Sequence, residues 1–315
     1  MDELDVRIFR VMMTERAVAP SDTQVNSSLR SIAKRVGADD MTVYYRYKRL
    51  LASGVLSGWQ LMVNPTFFGC NVIDVTVDVQ PESAKPDMIR KLKLVHEVVG
   101  MIDLYGKALK LHVMVSGVES RSRVIELISR ITNPERLVQI RAALPQCRTE
   151  RLTMTDVAII RALSNDARKS FVQVSKELGL SAATVRNRVV RLRNENTIYA
   201  MPILNLSHIP GLIPSYLSYS YSKGREKGLV DRLMLSHYET KYFWGMFTDP
   251  DNAYVLLSAS TMKDVQDDLD WAKSQPGVAS ARADVVIGNM MFPEKLVELL
   301  EQRIEKSALQ GKASS

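Results

Sequence analysis

The sequence predicts an α+β protein made of two winged helix-turn-helix units, each followed by a ferredoxin-like βαββαβ domain. The first observation is an internal repeat, in which the pattern of residues 33–50 returns at residues 175–192. The second is that each copy opens with three short amphipathic helical patterns and continues as strand, helix, strand, strand, helix, strand. A chain of 315 residues is too long for one small core, so an assembly of small domains is expected.

The repeat divides the chain into five segments. Residues 1–64 and 151–206 are the two helix-turn-helix domains, and residues 65–150 and 207–292 are the two α+β domains. Residues 293–315 form a closing helix and tail, with Leu296, Leu299, Leu300 and Ile304 on one apolar stripe. The first copy has nine extra residues, and the polar stretch 19–24 is where this insertion is expected to loop out.

The turn between the second and third helices has the same chemistry in both copies. Gly179 provides the backbone freedom for a tight turn, and Ser181 is placed to cap the third helix. The first copy has Gly37 and Asp39 in these places. In the second copy Val185, Val189 and Leu192 lie on one face of the third helix and predict its buried side.

Alternating apolar residues predict the strands that follow. One stretch comes directly after each helical unit, at 55–63 and 198–204. The α+β domains are predicted by strands at 72–79, 98–105, 109–115, 137–144, 213–221, 242–247, 253–258 and 279–287, with helices near 87–95, 120–131, 227–235 and 262–274.

Composition excludes several classes of protein. The net charge of +7 arises from 42 basic and 35 acidic residues, an excess too mild to identify a partner, so any polyanion site must be built locally. No apolar run approaches the roughly 18 residues of a membrane span, and two distant cysteines predict neither disulfides nor a zinc site. The expected setting is the cytoplasm, with no membrane partner, cofactor, metal or catalytic motif.

Two runs in the second copy resemble the Lrp/AsnC, or feast/famine, family of transcriptional regulators. They are LTMTDVAIIRAL at 152–163 and ELGLSAATVRNRVVRL at 177–192, and the first copy matches more loosely at 4–9, 32–37 and 55–59. The resemblance implies a double-stranded DNA partner and dimerisation through the α+β domains. A tandem copy then looks like a dimer fused into one chain, a pseudo-dimer that could pair further into a homodimer or higher oligomer.

The resemblance also implies a small-molecule effector, often an amino acid, near a glycine-and-aspartate turn between the second and third strands of the α+β domain. The matching positions are Gly106 in the first copy and Asp249 and Asp251 in the second. Both copies depart from the pattern, because the first lacks the aspartate and the second lacks the glycine. Since an ammonium group needs a carboxylate partner, these departures weaken the expectation of amino-acid sensing at this turn.

DNA reading is predicted for the third helix of each unit. From Ser181 to Arg193 the second copy has four arginines and no acid, and arginine and asparagine can bond guanine and adenine in a bidentate manner. Its predicted DNA-binding residues are Ser181, Thr184, Arg186, Asn187, Arg188, Arg191 and Arg193. Those of the first copy are Thr42, Tyr44, Tyr45, Arg46 and Arg49, but Asp39 and Asp40 at the helix start would repel phosphate. Arg46 and Arg188 occupy equivalent places and fit either a backbone contact or an internal salt bridge.

Two other functions fit the same architecture. Sirohaem decarboxylases resemble this family and depend on histidine and basic residues, whereas the four histidines here are scattered and the expected arginine-rich strand is missing. His96 and His237 lie near helix ends, where a histidine usually serves the helix dipole. The second alternative is an architectural protein that binds DNA with little sequence preference.

Overall fold

The computed structural model of the protein describes residues 1–14, 29–149, 151–164 and 166–313. The first trihelical unit consists of α1 (Glu3–Thr14), α2 (Leu29–Val36) and α3 (Asp40–Ala52), and the second of α6 (Met154–Ser164), α7 (Phe171–Leu178) and α8 (Ala182–Asn194). These are the helices that the repeat predicts. The predicted loop at 19–24 lies outside the described residues.

The predicted turns are confirmed in both units. Gly37 and Gly179 adopt left-handed backbone angles, with φ of +67° and +65°. The side chain of Asp39 accepts a hydrogen bond from the backbone N–H of Thr42, and that of Ser181 accepts one from Thr184. The N-termini of α3 and α8 are therefore capped by the residues expected from the sequence.

A βαββαβ unit follows each trihelical unit, as the sequence predicts. The first contains β2 (Asn71–Asp78), α4 (Lys85–Leu94), β3 (Val98–Leu104), β4 (Ala108–Val115), α5 (Val118–Thr132) and β5 (Arg136–Ala142). The second contains β7 (Ile213–Tyr221), α9 (Lys227–His237), β8 (Tyr242–Met246), β9 (Asn252–Ala259), α10 (Met262–Ser274) and β10 (Val278–Met291). The chain closes with α11 (Pro293–Ala313).

The two α+β units share one antiparallel sheet of eight strands, in the order β5-β2-β4-β3-β10-β7-β9-β8. The junction lies between β3 of the first unit and the second half of β10, which is five residues longer than the sequence-based strand at 279–287. Those additional residues include Gly288 to Met291, which pair with β3. The extension of β10 thus joins the two halves by backbone hydrogen bonds.

The two edge strands of this sheet approach each other through side chains. Thr248, just after β8, donates a hydrogen bond to the carbonyl of Arg141 at 2.6 Å. The carboxylate of Asp249 accepts one from the backbone N–H of Arg141 at 3.0 Å. These bonds link the loop after β8 to β5, which stands at the opposite end of the strand order.

The trihelical units are joined by a second, two-stranded sheet. It consists of β1 (Leu56–Val63) and β6 (Ile198–Leu204), which follow α3 and α8 and pair antiparallel with each other. Further contacts cross between the halves, because α1 packs on β8, with Phe9 and Phe243 edge to face at 5.9 Å. Each helical unit therefore contacts strands from the other copy of the repeat as well as its own elements.

Two faces of the central sheet have different chemistry. Ile73, Val75 and Val77 of β2 lie in the apolar core beneath α4 and α5. The alternate residues Asp74 and Asp78 are buried on the opposite face, towards the other half of the molecule. The interior between the halves is consequently rich in buried polar side chains.

The closing helix packs against α6 and β1, with Leu296 and Leu300 fully buried. Among the described helices, none has the length and apolar character needed to span a bilayer. Cys70 and Cys147 are both free thiols.

Candidate nucleic-acid interface and central cavity

The third helix of the second unit, α8, presents the predicted reading surface. Val185, Val189 and Leu192 are buried against α6 and α7, so that Arg186 and Asn187 are exposed on the opposite face. Ser181, which caps the helix, is exposed beside them, and Thr184 is half-buried. A guanidinium, an amide and a hydroxyl near the start of one helix can bond to base edges and phosphates.

The other arginines of α8 have different environments. Arg188 and Arg191 both bind the carboxylate of Asp156, at 2.9 and 2.8 Å. Arg193 is half-buried, and burial lowers its pKa. Arg188 thus forms the internal salt bridge that the sequence left open as one of two roles, whereas Arg186 and Asn187 are exposed on the face predicted to contact DNA.

Asp156 is a buried acid that orients α8. Its side chain is fully inaccessible and also accepts hydrogen bonds from the backbone and hydroxyl of Thr153. Burial would raise the pKa of Asp156, but the bonds from Thr153, Arg188 and Arg191 outweigh burial and lower it. The ionised carboxylate therefore fixes α8 against the start of α6.

The first unit repeats this arrangement with Asp5. Arg46 and Arg49 of α3 bind its buried carboxylate at 3.2 and 2.6 Å, and Arg46 also binds Asp2. Both arginines predicted to contact DNA in this copy are thus held by acids, while Thr42 bonds the capping residue Asp39. Sequence reasoning missed the two aspartates, although Asp5 and Asp156 occupy matching places in the repeat.

The exposed face of α3 is aromatic. Tyr44 and Tyr45 are 41% and 65% exposed and pack edge to face, with the Lys48 ammonium 5.6 Å from the Tyr44 ring. Tyr47, by contrast, is buried. Helices α3 and α8 therefore occupy equivalent places but present unlike surfaces: α8 exposes an arginine and an asparagine, and α3 exposes two tyrosines that follow two acids.

Side-chain and backbone contacts join the two helical units. The guanidinium of Arg168 lies 4.9 Å from the ring centre of Tyr47 and 5.0 Å from that of Trp59. The backbone N–H of Ala167 donates to the carbonyl of Trp59 at 3.0 Å. Together with the β1–β6 pairing, these contacts connect the two helical units directly.

The residues of the predicted effector turns form hydrogen bonds within the protein, and those of Asp249 connect the two halves. Asp249 is buried, and its carboxylate accepts hydrogen bonds from the backbone N–H groups of Arg141, Asp251 and Asn252. Gly106 has φ of +69°, and its carbonyl accepts a hydrogen bond from Lys85. The structure thus places Asp249 in internal bonds instead of leaving it open to an ammonium group, and the side chain of Asp251 is exposed.

A buried polar cluster lies between the halves and was not recognised in the sequence. Asp74 accepts a hydrogen bond from His112 Nδ1 at 2.6 Å and another from the Tyr254 hydroxyl of the other half. The Lys110 ammonium lies 3.4 Å from the Tyr254 ring centre and 4.8 Å from that of Tyr216, and it has no hydrogen-bond partner among the described residues. The signal available in the sequence was only that strands β2 and β4 carry charged residues in otherwise apolar runs.

The charges of this cluster depend on one another. Burial would raise the pKa of Asp74, but His112, Lys110 and Tyr254 outweigh burial and lower it to about 2. Burial lowers the pKa of Lys110 to about 8, partly opposed by Asp74 and Asp284. Asp74 is therefore ionised at neutral pH, and its negative charge balances the buried ammonium.

A cavity of about 420 Å³ adjoins this cluster, between strands β1 and β6 and the inner face of the central sheet. Asp74, His112 and Tyr216 contribute to its wall, and most of the remaining wall is apolar. The described residues contain no cluster of three or more histidines, cysteines or acids suited to a metal ion. The histidines considered from the sequence lie elsewhere: His237 stacks on Trp271 at 3.4 Å, and the exposed His96 follows α4.

Comparison with known proteins identifies the domain type of the second helical unit. Residues 152–193 match the AsnC-type helix-turn-helix domain. The HTH-type transcriptional regulator Ptr1 of Methanocaldococcus jannaschii is 49% identical over 47 residues, 15% of this chain and 32% of that protein. An uncharacterised HTH-type transcriptional regulator of Pyrococcus horikoshii is 27% identical over 120 residues, 37% of this chain and 70% of that protein. The chain thus spans about a third of the length of Ptr1.

The fold of the whole chain is similar to that of the sirohaem decarboxylase NirDL. The TM-score is 0.55 at 11% sequence identity, over 98% of this chain and 100% of that one. At this identity the similarity concerns the fold alone. The second helical unit thus contains an AsnC-type helix-turn-helix domain, and the order of three helices followed by a βαββαβ unit occurs twice in the chain.

Proposed function

We propose that the protein is a cytoplasmic, sequence-specific DNA-binding regulator of transcription in which one chain acts as a pseudo-dimer. The observation that carries the proposal is the exposed pair Arg186 and Asn187 at the start of the capped helix α8, on a domain that matches the AsnC type. The start of such a helix is the part that enters the major groove in helix-turn-helix proteins. The second unit then reads bases directly.

The first unit has a different task in this proposal. Asp39 and Asp40 at the start of α3 repel phosphate, and Arg46 and Arg49 are engaged with Asp5. Tyr44 and Tyr45 remain available to pack on thymine methyl groups or to bond phosphates. The first unit therefore anchors the complex, and the preferred site on DNA is asymmetric, unlike the palindromic sites of symmetric dimers.

Binding to DNA is expected to depend steeply on salt and on sequence. Each phosphate contact releases counterions, so six or more contacts should lower the affinity by about a thousandfold or more between 50 and 200 mM salt. Fluorescence anisotropy with a fragment selected from genomic DNA, and with random DNA of equal length, measures both properties. A flat response to salt would rule out nucleic acid as the partner. Equal affinity for both fragments would indicate an architectural DNA-binding protein and contradict a sequence-specific regulator.

We further propose that the protein is not a decarboxylase, although NirDL, a sirohaem decarboxylase, has a similar fold. This is supported by the separate positions of His96, which follows α4 in the first half, and His237, which ends α9 in the second half. Incubation with sirohaem, followed by absorbance spectra and mass analysis of the tetrapyrrole, is expected to return it unchanged. Loss of carbon dioxide from the tetrapyrrole would overturn this part of the proposal.

A further inference from the structure

The central cavity has walls from both halves of the chain. Ser57 and Gln60 of β1 and Tyr199 of β6 lie on one side, and the inner face of the eight-stranded sheet lies on the other. Six methionines contribute to the lining: Met13, Met62, Met201, Met246, Met290 and Met291. Methionine side chains are flexible and polarisable and make favourable contacts with aromatic rings, so this wall suits an apolar, aromatic body.

Two polar atoms of the wall have no hydrogen-bond partner within the described part of the chain. Since Asp74 is ionised, His112 must donate to it through Nδ1, which leaves Nε2 as the remaining polar atom of the ring. Neither His112 Nε2 nor the Tyr216 hydroxyl has a hydrogen-bond partner among the described residues, although Tyr216 is only 3% exposed. Neither atom belongs to the fully buried side-chain atoms that lack a partner, and both side chains line the cavity, so a ligand in the cavity can bond both atoms.

The chemistry of these two atoms selects the head group of the ligand. A carboxylic acid can transfer its proton to His112 Nε2, after which the carboxylate accepts hydrogen bonds from the imidazolium and from the Tyr216 hydroxyl. Both bonds are then assisted by charge and are stronger than the bonds of a neutral alcohol. The imidazolium is balanced by Asp74 and the ligand, while Lys110 offsets the second negative charge.

We propose that the cavity binds an apolar, aromatic monocarboxylic acid, with its carboxyl group at His112 and Tyr216 and its body against the methionines. Free amino acids fit poorly, because Asp74 already accepts hydrogen bonds from His112 and Tyr254 and is the one acid among the described residues of this wall. The site is separate from the turns at Gly106 and Asp249, neither of which lines the cavity.

Occupancy of the cavity bears directly on the reading helices. Strands β1 and β6 form one wall and follow α3 and α8 without a long connection. A ligand that contacts both this wall and the central sheet is expected to alter the orientation of α3 and α8. Coupling between a ligand site and a DNA site typically changes the affinity for DNA by about five- to 150-fold. This regulatory role rests on the proposed DNA-binding function, whereas ligand binding itself does not.

Titration calorimetry of the full chain without DNA tests the site. The probes are 4-phenylbutyrate, 4-phenylbutanol and 4-phenylbutylamine, which share one body and differ in the head group. We expect the acid to bind about tenfold tighter than the alcohol, with the amine weakest, because the acid alone gains two charge-assisted bonds. Equal affinities for acid and alcohol, or tighter binding of the amine, would overturn the assignment of the head group.

Two variants locate the binding. In His112→Asn the side-chain amide can still donate to Asp74 but the Nε2 position is lost, and Tyr216→Phe removes only a hydroxyl. Each is expected to weaken binding of 4-phenylbutyrate about tenfold. His96→Asn and Tyr105→Phe, both at exposed positions, are matched controls and should bind as the unmodified chain does. Unchanged binding in both His112→Asn and Tyr216→Phe would overturn the site.

The regulatory role is measured separately, as the affinity for DNA with and without saturating 4-phenylbutyrate. A change of about fivefold or more supports it. Binding of the acid with no effect on DNA affinity would overturn the regulatory role while the site stands. Binding of the acid by a chain that does not bind DNA at all would count against the proposed function and not against the cavity.

Discussion

Simultaneous replacement of Arg186 and Asn187 by alanine is expected to weaken binding to a specific DNA site by about 2–6 kcal/mol if each makes a bidentate contact with a base. Both side chains are exposed near the start of α8, and the buried stripe of Val185, Val189 and Leu192 is untouched by the change. The loss should therefore concern recognition alone. Anisotropy titrations on the selected fragment measure it, with thermal unfolding to verify the fold.

The matched control for this change lies in the first unit. Tyr44→Ala together with Tyr45→Ala removes two exposed side chains from the corresponding helix α3. If the first unit mainly anchors the complex, this variant should lose affinity by a similar factor on selected and random DNA, whereas the Arg186 and Asn187 variant should lose discrimination between them. The proposed inequality of the two units is refuted if the tyrosine variant loses discrimination and the α8 variant retains it.

The change Asp74→Asn is expected to lower the free energy of unfolding by about 3–5 kcal/mol, because it leaves the buried Lys110 ammonium without its balancing charge. Asp74 and Lys110 are 2% and 1% exposed, so water cannot take over the role of the carboxylate. Denaturant unfolding monitored by circular dichroism measures the effect. Asp87→Asn, which alters an exposed acid bound to Lys91 and Arg90, is the control and should change stability by no more than about 0.5 kcal/mol.

Two further measurements separate charge balance from lost hydrogen bonds. Adding Lys110→Met to Asp74→Asn should recover much of the stability, since no buried charge is then left uncompensated. The folded-state pKa of Asp74 is about 2, below the value near 4 of an unfolded chain. Its contribution is therefore present above pH 4 and lost as the pH falls towards 2, a loss of about 2 kcal/mol that the Asp74→Asn chain should lack. Equal acid sensitivity in both chains would contradict the assigned charge of Asp74.

Local patterns in the sequence were sufficient for the order of helices and strands and for the turns before α3 and α8, but not for the extension of β10 that pairs with β3. The 3.6-residue spacing of Val185, Val189 and Leu192 predicts the buried face of α8, and Gly179 with Ser181 predicts the turn before it. Arg186 and Asn187 could be assigned to the exposed face for the same reason. Each of these features depends on neighbours within about four residues.

Features that depend on the meeting of distant strands could not be predicted in this way. Asp74 and Tyr254 are 180 positions apart and touch only because both halves contribute to one interior. The roles of Arg188 and Arg191 required knowledge that Asp156 is buried beside α8. The isolated positions of the histidines along the chain likewise gave no indication that His112 adjoins Asp74 and a cavity.

The pairing of β3 with β10, and of β1 with β6, occurs within a single polypeptide. Two separate subunits joined by these strands would part on dilution, whereas covalent linkage keeps the partners at a high effective concentration whatever the amount of protein. If one chain binds DNA as the proposed pseudo-dimer, occupancy of a DNA site should follow the first power of protein concentration, with no threshold set by assembly. A cell that makes only a few copies of such a chain would still have every copy ready to bind.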